Sequence, residues 1–396
     1  MSSVRSEDVE VGSVNSFFFA QKLSNIEQTL SNYWAVMKLN LDLADFRYSH
    51  FEVDVLSKLE SFKGRWTSFG NLSSERLKQL KKQALIESIG SSTRIEGSSL
   101  SNSQIKGLEL PKGSSKPTFS SKDEEDAAGY AVALRLILNE WKDMPLSEVL
   151  IRMLHGSLMG KGNRKLGPVG DYKTADNSVV ALREGKIAGT VFQPAPAAET
   201  PWLMEQLVEW YDDEIERGVY HPLLLIAVFV VSFLAIHPFK DGNGRLSRLL
   251  TTLLLLRSGF DYVPYSSLES VIEKSKASYY LALRRTQLSL KKESPDWRPF
   301  FDYVLNSLWI QMKVLESRVF QEHLLSGVPE LSRAILKLLS SGDPMGIGDL
   351  EKSLKTPRST IRFHLRRLID EGRIISSGKA RAVRYQITDA PSWNFE

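Results

Sequence analysis

Leu223 to Ile236 is an apolar run of 14 residues broken only by Ser232. A helix that is apolar on every side has no face to offer to water, and a membrane span needs about 20 such residues. The run is therefore expected as a helix buried all round inside a protein core, and other elements must cover it. With 396 residues, against about 100–200 per domain, two or three domains are expected. The 42% hydrophobic and 25% charged content is that of an ordinary globular chain, which sets disordered and fibrous classes aside. There is no cysteine. Disulfides and thiolate chemistry are excluded, and any metal must take oxygen or imidazole ligands, which fits a cytoplasmic location. Met1 to Gly12 is polar and acidic and leads into no signal-peptide core, so neither export nor a membrane anchor is expected.

Helical periodicity runs from about Phe17 and is clearest over Ser73–Ile89, where Leu77, Leu80, Ala84, Leu85 and Ile89 recur on one face. Gly90 is expected to end or bend that helix, and Pro111–Asp123 reads as an exposed loop. Further helices are expected over Glu124–Trp141, Leu146–Met159, Pro201–Ile236, Arg245–Arg257, Ser275–Leu290 and Asp296–Leu325. Between Gly170 and Phe192 the pattern turns to β, with Val179–Leu182 and Ile187–Phe192 flanking a turn at Arg183–Lys186. Near the C-terminus, helices over Leu331–Leu339, Ile347–Leu354 and Arg358–Asp370 precede strands over Arg373–Ser377 and Ala382–Ile387. Three helices and a hairpin make a winged-helix layout. The fold class is mainly α: a helical core with one small β-hairpin, an N-terminal helical region (1–105), a central domain (106–325) and a C-terminal winged-helix domain (328–396).

The chemistry is concentrated in His237-Pro238-Phe239-Lys240-Asp241-Gly242-Asn243-Gly244-Arg245-Leu246-Ser247-Arg248, between two apolar helices. Gly242 and Gly244 let backbone N–H groups converge on an anion without Cβ clashes, where the next helix begins with its positive dipole end. Arg245 and Arg248 are three residues apart and share a helical face, a spacing suited to clamping successive phosphates. Asp241 offers one carboxylate to Mg²⁺, and His237 a proton acceptor. Each residue alone is as well explained by a buried histidine beside a glycine turn; together they make a site.

The run resembles the Fic family signature, His-x-Phe-x-(Asp/Glu)-Gly-Asn-Gly-Arg-x-x-Arg, at every specified position. The resemblance implies that residues 106–325 transfer AMP from ATP, with Mg²⁺, to a Ser, Thr or Tyr hydroxyl of a target protein. It implies that His237 deprotonates the hydroxyl, Asp241 holds Mg²⁺, and Gly242, Asn243 and Gly244 cradle the α- and β-phosphates. Arg245 would then bind the β-phosphate region, Arg248 the γ-phosphate, and Phe239 would anchor the loop. By the same resemblance the hairpin is a target-positioning flap, entered through Gly170, Tyr172 and Lys173. Tyr279, Tyr280 and Gln287 resemble the family's nucleoside-side positions, although paired tyrosines at helical spacing are as often core.

Ser92-x-x-x-Glu96-Gly97 resembles the family's inhibitory motif in the subgroup that carries it ahead of the Fic domain. The resemblance implies that Glu96 pairs with Arg248 and removes the partner of the γ-phosphate; the bland alternative is a capping glutamate. Ser88-Ile89-Gly90, His221-Pro222-Leu223 and Ser266-Ser267-Leu268-Glu269 are similar to the same architecture.

Between Lys355 and Arg384 nine basic residues stand against the two acidic residues Asp370 and Glu371. Such a stripe suits phosphate contact, so DNA through residues 355–384 is a candidate partner, as are a target protein and a second copy of the chain. Winged helices also dock proteins. The competing readings are a DNA-binding regulator whose Fic domain senses nucleotide, and a Fic enzyme of different transfer or removal chemistry. Gly156–Gly162 is no P-loop, having three residues between Gly156 and Gly160 and no Ser or Thr after Lys161. His155 is expected to be packed core.

Overall fold

The computed structural model describes residues 39–66, 74–108, 119–160, 170–177, 179–183, 186–325, 327–340, 343–379 and 382–388. The expectations for residues 1–38, for positions 111–118 of the expected loop and for the hairpin turn at Glu184 and Gly185 lie outside the described residues. The described residues within 1–66 and 81–309 form one compact unit, and those within 67–80 and 310–396 form another.

In the first unit α1 is His50–Trp66, α2 Ser74–Ile95, α3 Asn102–Gly107, α4 Lys122–Glu140, α5 Glu148–Met159, α6 Thr200–Arg217, α7 Pro222–Ile236, α8 Asn243–Arg257, α9 Leu268–Lys274 and α10 Lys276–Ser289; α2 starts, and α11 (Arg298–Leu325) ends, in the second unit. Strands β1 (Val179–Arg183) and β2 (Lys186–Phe192) make an antiparallel hairpin with register shifts after Val179 and Ala181. The apolar run is α7. Every residue from Leu223 to Ile236 is buried, under cover from α6, α8 and α10. Burying each Leu or Phe contributes about 1.5–3 kcal/mol, so α7 is the hydrophobic axis of the unit. His221 caps it by accepting the Leu223 N–H on Nδ1 at 3.2 Å, and Pro222 fits the first turn because it has no N–H to satisfy.

Gly90 does not end its helix, as the local rule predicts; α2 runs on to Ile95. The reason is a close approach. A Cβ at Gly90 would lie 2.6 Å from both the Arg94 guanidinium and Asn102 Oδ1. Arg94 crosses this bare position to reach Glu273, with its Nε at 2.6 Å and Nη2 at 2.9 Å from the carboxylate.

The second unit contains the winged helix: α12 (Glu330–Leu339), β3 (Met345–Gly346), α13 (Ile347–Leu354), α14 (Arg358–Asp370), β4 (Ile374–Ser377) and β5 (Arg384–Ile387). The sheet order is β3-β5-β4, all antiparallel. Its two-residue first strand has too little periodicity to be legible in sequence. Ile335, Leu336, Leu350, Ile361, Leu365, Leu368 and Ile374 form its core. Among the described residues, no helix is long and apolar enough to cross a membrane.

Candidate active site

The site is built where α7 ends and α8 begins. His237 leaves α7 in the left-handed region, at φ 53° and ψ 58°. Its Nδ1 lies 3.4 Å from the Leu234 carbonyl, which only accepts, so the proton sits on Nδ1 and Nε2 keeps its lone pair. Burial lowers the His237 pKa to about 4, with Lys173 lowering it further and Glu96 and Asp241 opposing. The imidazole is neutral at pH 7.

Asn243 locks the turn. The Phe239 N–H donates to its Oδ1 at 3.0 Å, and its Nδ2 donates back to the Phe239 carbonyl at 2.7 Å. Its side chain is thus spent on the loop, and only its backbone is left to meet a phosphate. Beneath it the fully buried Phe239 ring stacks on His155 at 3.8 Å. The Gly170 N–H donates to His155 Nδ1 at 3.2 Å, so Nε2–H donates to the Asp241 carbonyl at 3.1 Å. His155 is buried, and it also fixes the backbone of the residue expected to hold the metal.

Gly242 has φ 82°, and a Cβ there would meet Met159 Sδ at 2.8 Å. At Gly244 a Cβ would run into the Glu96 carboxylate. Glu96 Oε1 is 2.8 Å from Arg248 Nη2, while Arg248 also donates to the Ser92 hydroxyl and carbonyl, each at 2.9 Å. Gly97, at φ 103°, lets the chain turn away after the helix. An anionic group just past the end of α2 therefore occupies the start of α8, where converging N–H groups favour negative charge.

Arg245 goes elsewhere. Its Nη1 is 2.7 Å from Asp126 on α4 and its Nη2 is 3.6 Å from Asp241. Two buried guanidinium groups each need a counter-charge. Different helices supply them, so in this state Arg245 and Arg248 do not form the joint clamp expected from their spacing. Asp241 accepts the Gly242 N–H at 2.6 Å, and its other oxygen is 3.8 Å from Lys122 Nζ. It is half-exposed, and among the described residues no cluster of three or more His, Asp or Glu exists to cage a metal. That donor set fits Mg²⁺, which takes one or two carboxylates and completes its shell with phosphate and water.

Gly170, Tyr172 and Lys173, expected to lead into the flap, stand behind the loop. Tyr172 donates to Glu148 at 2.6 Å with its ring 5.5 Å from Phe239, and Gly170 carries φ 91°. Lys173 is buried, its ammonium turned onto backbone carbonyls. All three precede the hairpin, as expected of residues that lead into it, and they brace the histidine loop. Of the nucleoside-side candidates, Tyr279 is buried against Phe300 and Tyr303, and Tyr280 is exposed. Gln287 is buried and lines a cavity with Phe192, Ala195, Ala235 and Ile236, beside His237 in the chain.

Sequence reasoning missed Asp126, and it named Glu269 only as part of a shared architecture without giving it a role; Glu269 is a buried carboxylate that accepts from Ser88 at 2.6 Å and Tyr130 at 2.8 Å and so docks α2. A lone acidic residue on a helix gives no sign of burial.

Acid should destabilise this region. His155 and His237 both have pKa values lowered to about 4 by burial, against 6.5 ordinarily. Between those values the unfolded chain binds more protons than the folded one, so stability rises with pH. Unfolding free energy from urea titrations should fall as pH drops from 6.5 towards 4, and His155→Phe should lose part of that dependence; identical curves at pH 5 and 6.5 would count against burial of these rings.

A match to the Fic/DOC family spans residues 145–255, and one to the arsR family of bacterial regulatory proteins spans residues 332–376. The protein adenylyltransferase fic-1 of Caenorhabditis elegans is 26% identical over 236 residues, covering 58% of this chain and 41% of that protein. The protein adenylyltransferase Fic of Drosophila virilis is 26% identical over 290 residues, covering 69% of this chain and 54% of its own length. The chain thus spans about half the length of these curated relatives. Among solved structures, a Fic family protein from Desulfovibrio desulfuricans aligns with TM-score 0.54 and 23% identity over 87% of this chain and 98% of that one. A Fic domain containing signaling protein from Bacteroides thetaiotaomicron aligns with TM-score 0.51 and 28% identity, covering 65% and 97%.

Proposed function

Starting from a chain that carries a Fic-family domain and, towards its C-terminus, a winged helix, we propose that it is a protein adenylyltransferase. It moves AMP from Mg-ATP to a Ser, Thr or Tyr hydroxyl of a target protein, itself included, and Glu96 holds it off. The observation that carries this reading is a carboxylate held at a helix start whose N–H groups and arginine would equally suit a phosphate. Glu96 lies against Gly244 and Arg248 at the start of α8, near enough to His237 for its charge to act on that imidazole. Two relatives named protein adenylyltransferase support the same chemistry.

With ATP bound, its phosphates take over the α8 N–H groups and Arg248 once Glu96 has swung out. His237 Nε2 accepts the proton of the incoming hydroxyl, the oxygen bonds to the α-phosphorus, and pyrophosphate leaves. Asp241 would hold Mg²⁺, which neutralises phosphate charge. Arg245, held by Asp126 and 3.6 Å from Asp241, would meet the β-phosphate region beside that carboxylate. We place the inhibitory region at 1–105, the catalytic domain at 106–325 and the winged helix at 328–396. Incubating a Glu96→Gly chain with ATP and a cell lysate should leave AMP adducts on hydroxyl side chains, read by mass spectrometry; their absence counts against the reading.

A second activity is favoured by one surface. Arg358, Arg362 and Arg366 recur every four residues on the exposed face of α14, whose other face gives Ile361, Leu365 and Leu368 to the core. The arsR-family match covers this helix. We propose that it contacts DNA phosphates. Gel shifts of the full chain should weaken steeply with salt, and Arg362→Ala should lower the log–log salt slope by about 1; salt-independent or absent binding rejects it.

A further inference from the structure

His237 is held in a conformation that a non-glycine residue adopts at a cost, and the loop it begins carries carbonyls that α7 cannot satisfy. Each finds a partner in the segment ahead of the hairpin. Lys173 Nζ donates to the Ile236 carbonyl at 3.0 Å, and the Lys173 backbone N–H to the Pro238 carbonyl at 2.8 Å. Asn177 Nδ2 donates to the His237 carbonyl at 3.4 Å and the Phe239 carbonyl at 3.1 Å. Four successive carbonyls, Ile236 to Phe239, are thus held by two residues. The remaining Lys173 donors go to Asn177 Oδ1 at 2.9 Å and the Ala195 carbonyl at 2.6 Å. Ala195 follows β2, and its own N–H returns to the Ala235 carbonyl at 3.2 Å. Gln193 Nε2 donates to the Asn177 carbonyl at 3.2 Å, joining the chain entering the hairpin to the chain leaving it.

We propose that Lys173 is a positioning residue for His237: its buried ammonium, with the Asn177 amide, fixes the loop that presents the imidazole and ties that loop to both feet of the β1–β2 hairpin. A cation at the negative end of α7 is also favourably placed. Movement of the hairpin when a target docks is then transmitted to the base without any contact between target and lysine. The charges that act on His237 are Lys173, Glu96 and Asp241, and of these Lys173 alone disfavours imidazolium. Burial lowers the Lys173 pKa to about 8, so the ammonium persists at neutral pH.

The rate arm of the test rests on the adenylyl-transfer reading; the titration arm does not. In the Glu96→Gly chain, Lys173→Met is expected to lower kcat by about 10²-fold, the cost of a small misplacement of a reacting group, with KM for ATP little changed. In isotope-labelled protein, the His237 NMR titration midpoint should move up from about 4 as the lysine's charge is lost, and stay below the ordinary value because the ring remains buried. Asn177→Ala keeps the cation, so it should lower kcat while leaving that midpoint in place. An unmoved midpoint in Lys173→Met overturns the proposal whatever the rate does, and so does an unchanged kcat. Should Lys173→Met fail to fold, Asn177→Ala decides: a fall in kcat at constant KM supports the proposal, and full activity overturns it. Should the Glu96→Gly parent transfer no AMP, the midpoint alone decides.

Discussion

His237→Ala, made in a chain whose Glu96 is already glycine, is expected to cut AMP transfer by about 10²–10⁴-fold, the usual contribution of a general base. Affinity for Mg-ATP should change little, because the phosphate contacts are assigned to the α8 N–H groups and Arg248. The fall follows from the state of the ring. Burial keeps the imidazole neutral, and the Leu234 carbonyl takes its Nδ1–H, so Nε2 is free to accept a proton. With the pKa lowered to about 4, the rate should be flat from pH 6 to 8 as far as this group is concerned, and should fall only as pH approaches that value. Calorimetric ATP titration beside a rate measurement separates the two effects; a His237→Ala chain that transfers normally removes the base from the account.

Glu96→Gly is expected to move activity and stability in opposite directions. Removing the carboxylate frees Arg248 and the start of α8, and AMP transfer should rise by about 10²-fold, the size of a 1–3 kcal/mol coupling. The same change leaves a buried guanidinium without its charged partner. Arg248 keeps Ser92, and the Glu96 side chain is 38% exposed, so the loss of stability should be modest, about 1–2 kcal/mol. Saturating Mg-ATP should restore it, because phosphate supplies the missing anion, and the nucleotide-induced rise in Tm should exceed that of the unaltered chain. An ordinary capping glutamate gives a different pattern: lower stability, no gain in activity and no larger response to nucleotide.

What could be read in advance was what is local in sequence. The 14 apolar residues of α7 have one physical solution, and the turn after them needs its glycines at fixed places, so the axis of the fold and the loop from 237 to 248 were both legible. Long-range partners were legible only where the resemblance to the inhibitory motif supplied one, Glu96 for Arg248. Nothing in the spacing of Arg245 and Arg248 announces that Asp126 holds Arg245 apart from its neighbour, because that carboxylate comes from α4. Gly90 shows a related effect. A local rule treats it as a helix end or bend, whereas the helix runs on to Ile95 and the space the glycine leaves is filled by Arg94 on its way to Glu273. Lys173 and Asn243 look like ligand-facing polar residues, yet both spend their side chains on backbone carbonyls of the loop. Burial of a polar group is decided by the whole fold.

Once Glu96 is gone, the α-phosphorus of a nucleotide is expected to reach a hydroxyl at His237. The decisive test is to supply the Glu96→Gly chain with ATP labelled at the α-phosphorus and, in parallel, at the γ-phosphorus. Label retained on protein from the α position alone, and lost when His237 is also replaced, is the expected result. Retention of the γ label, or α labelling that persists without His237, would contradict it.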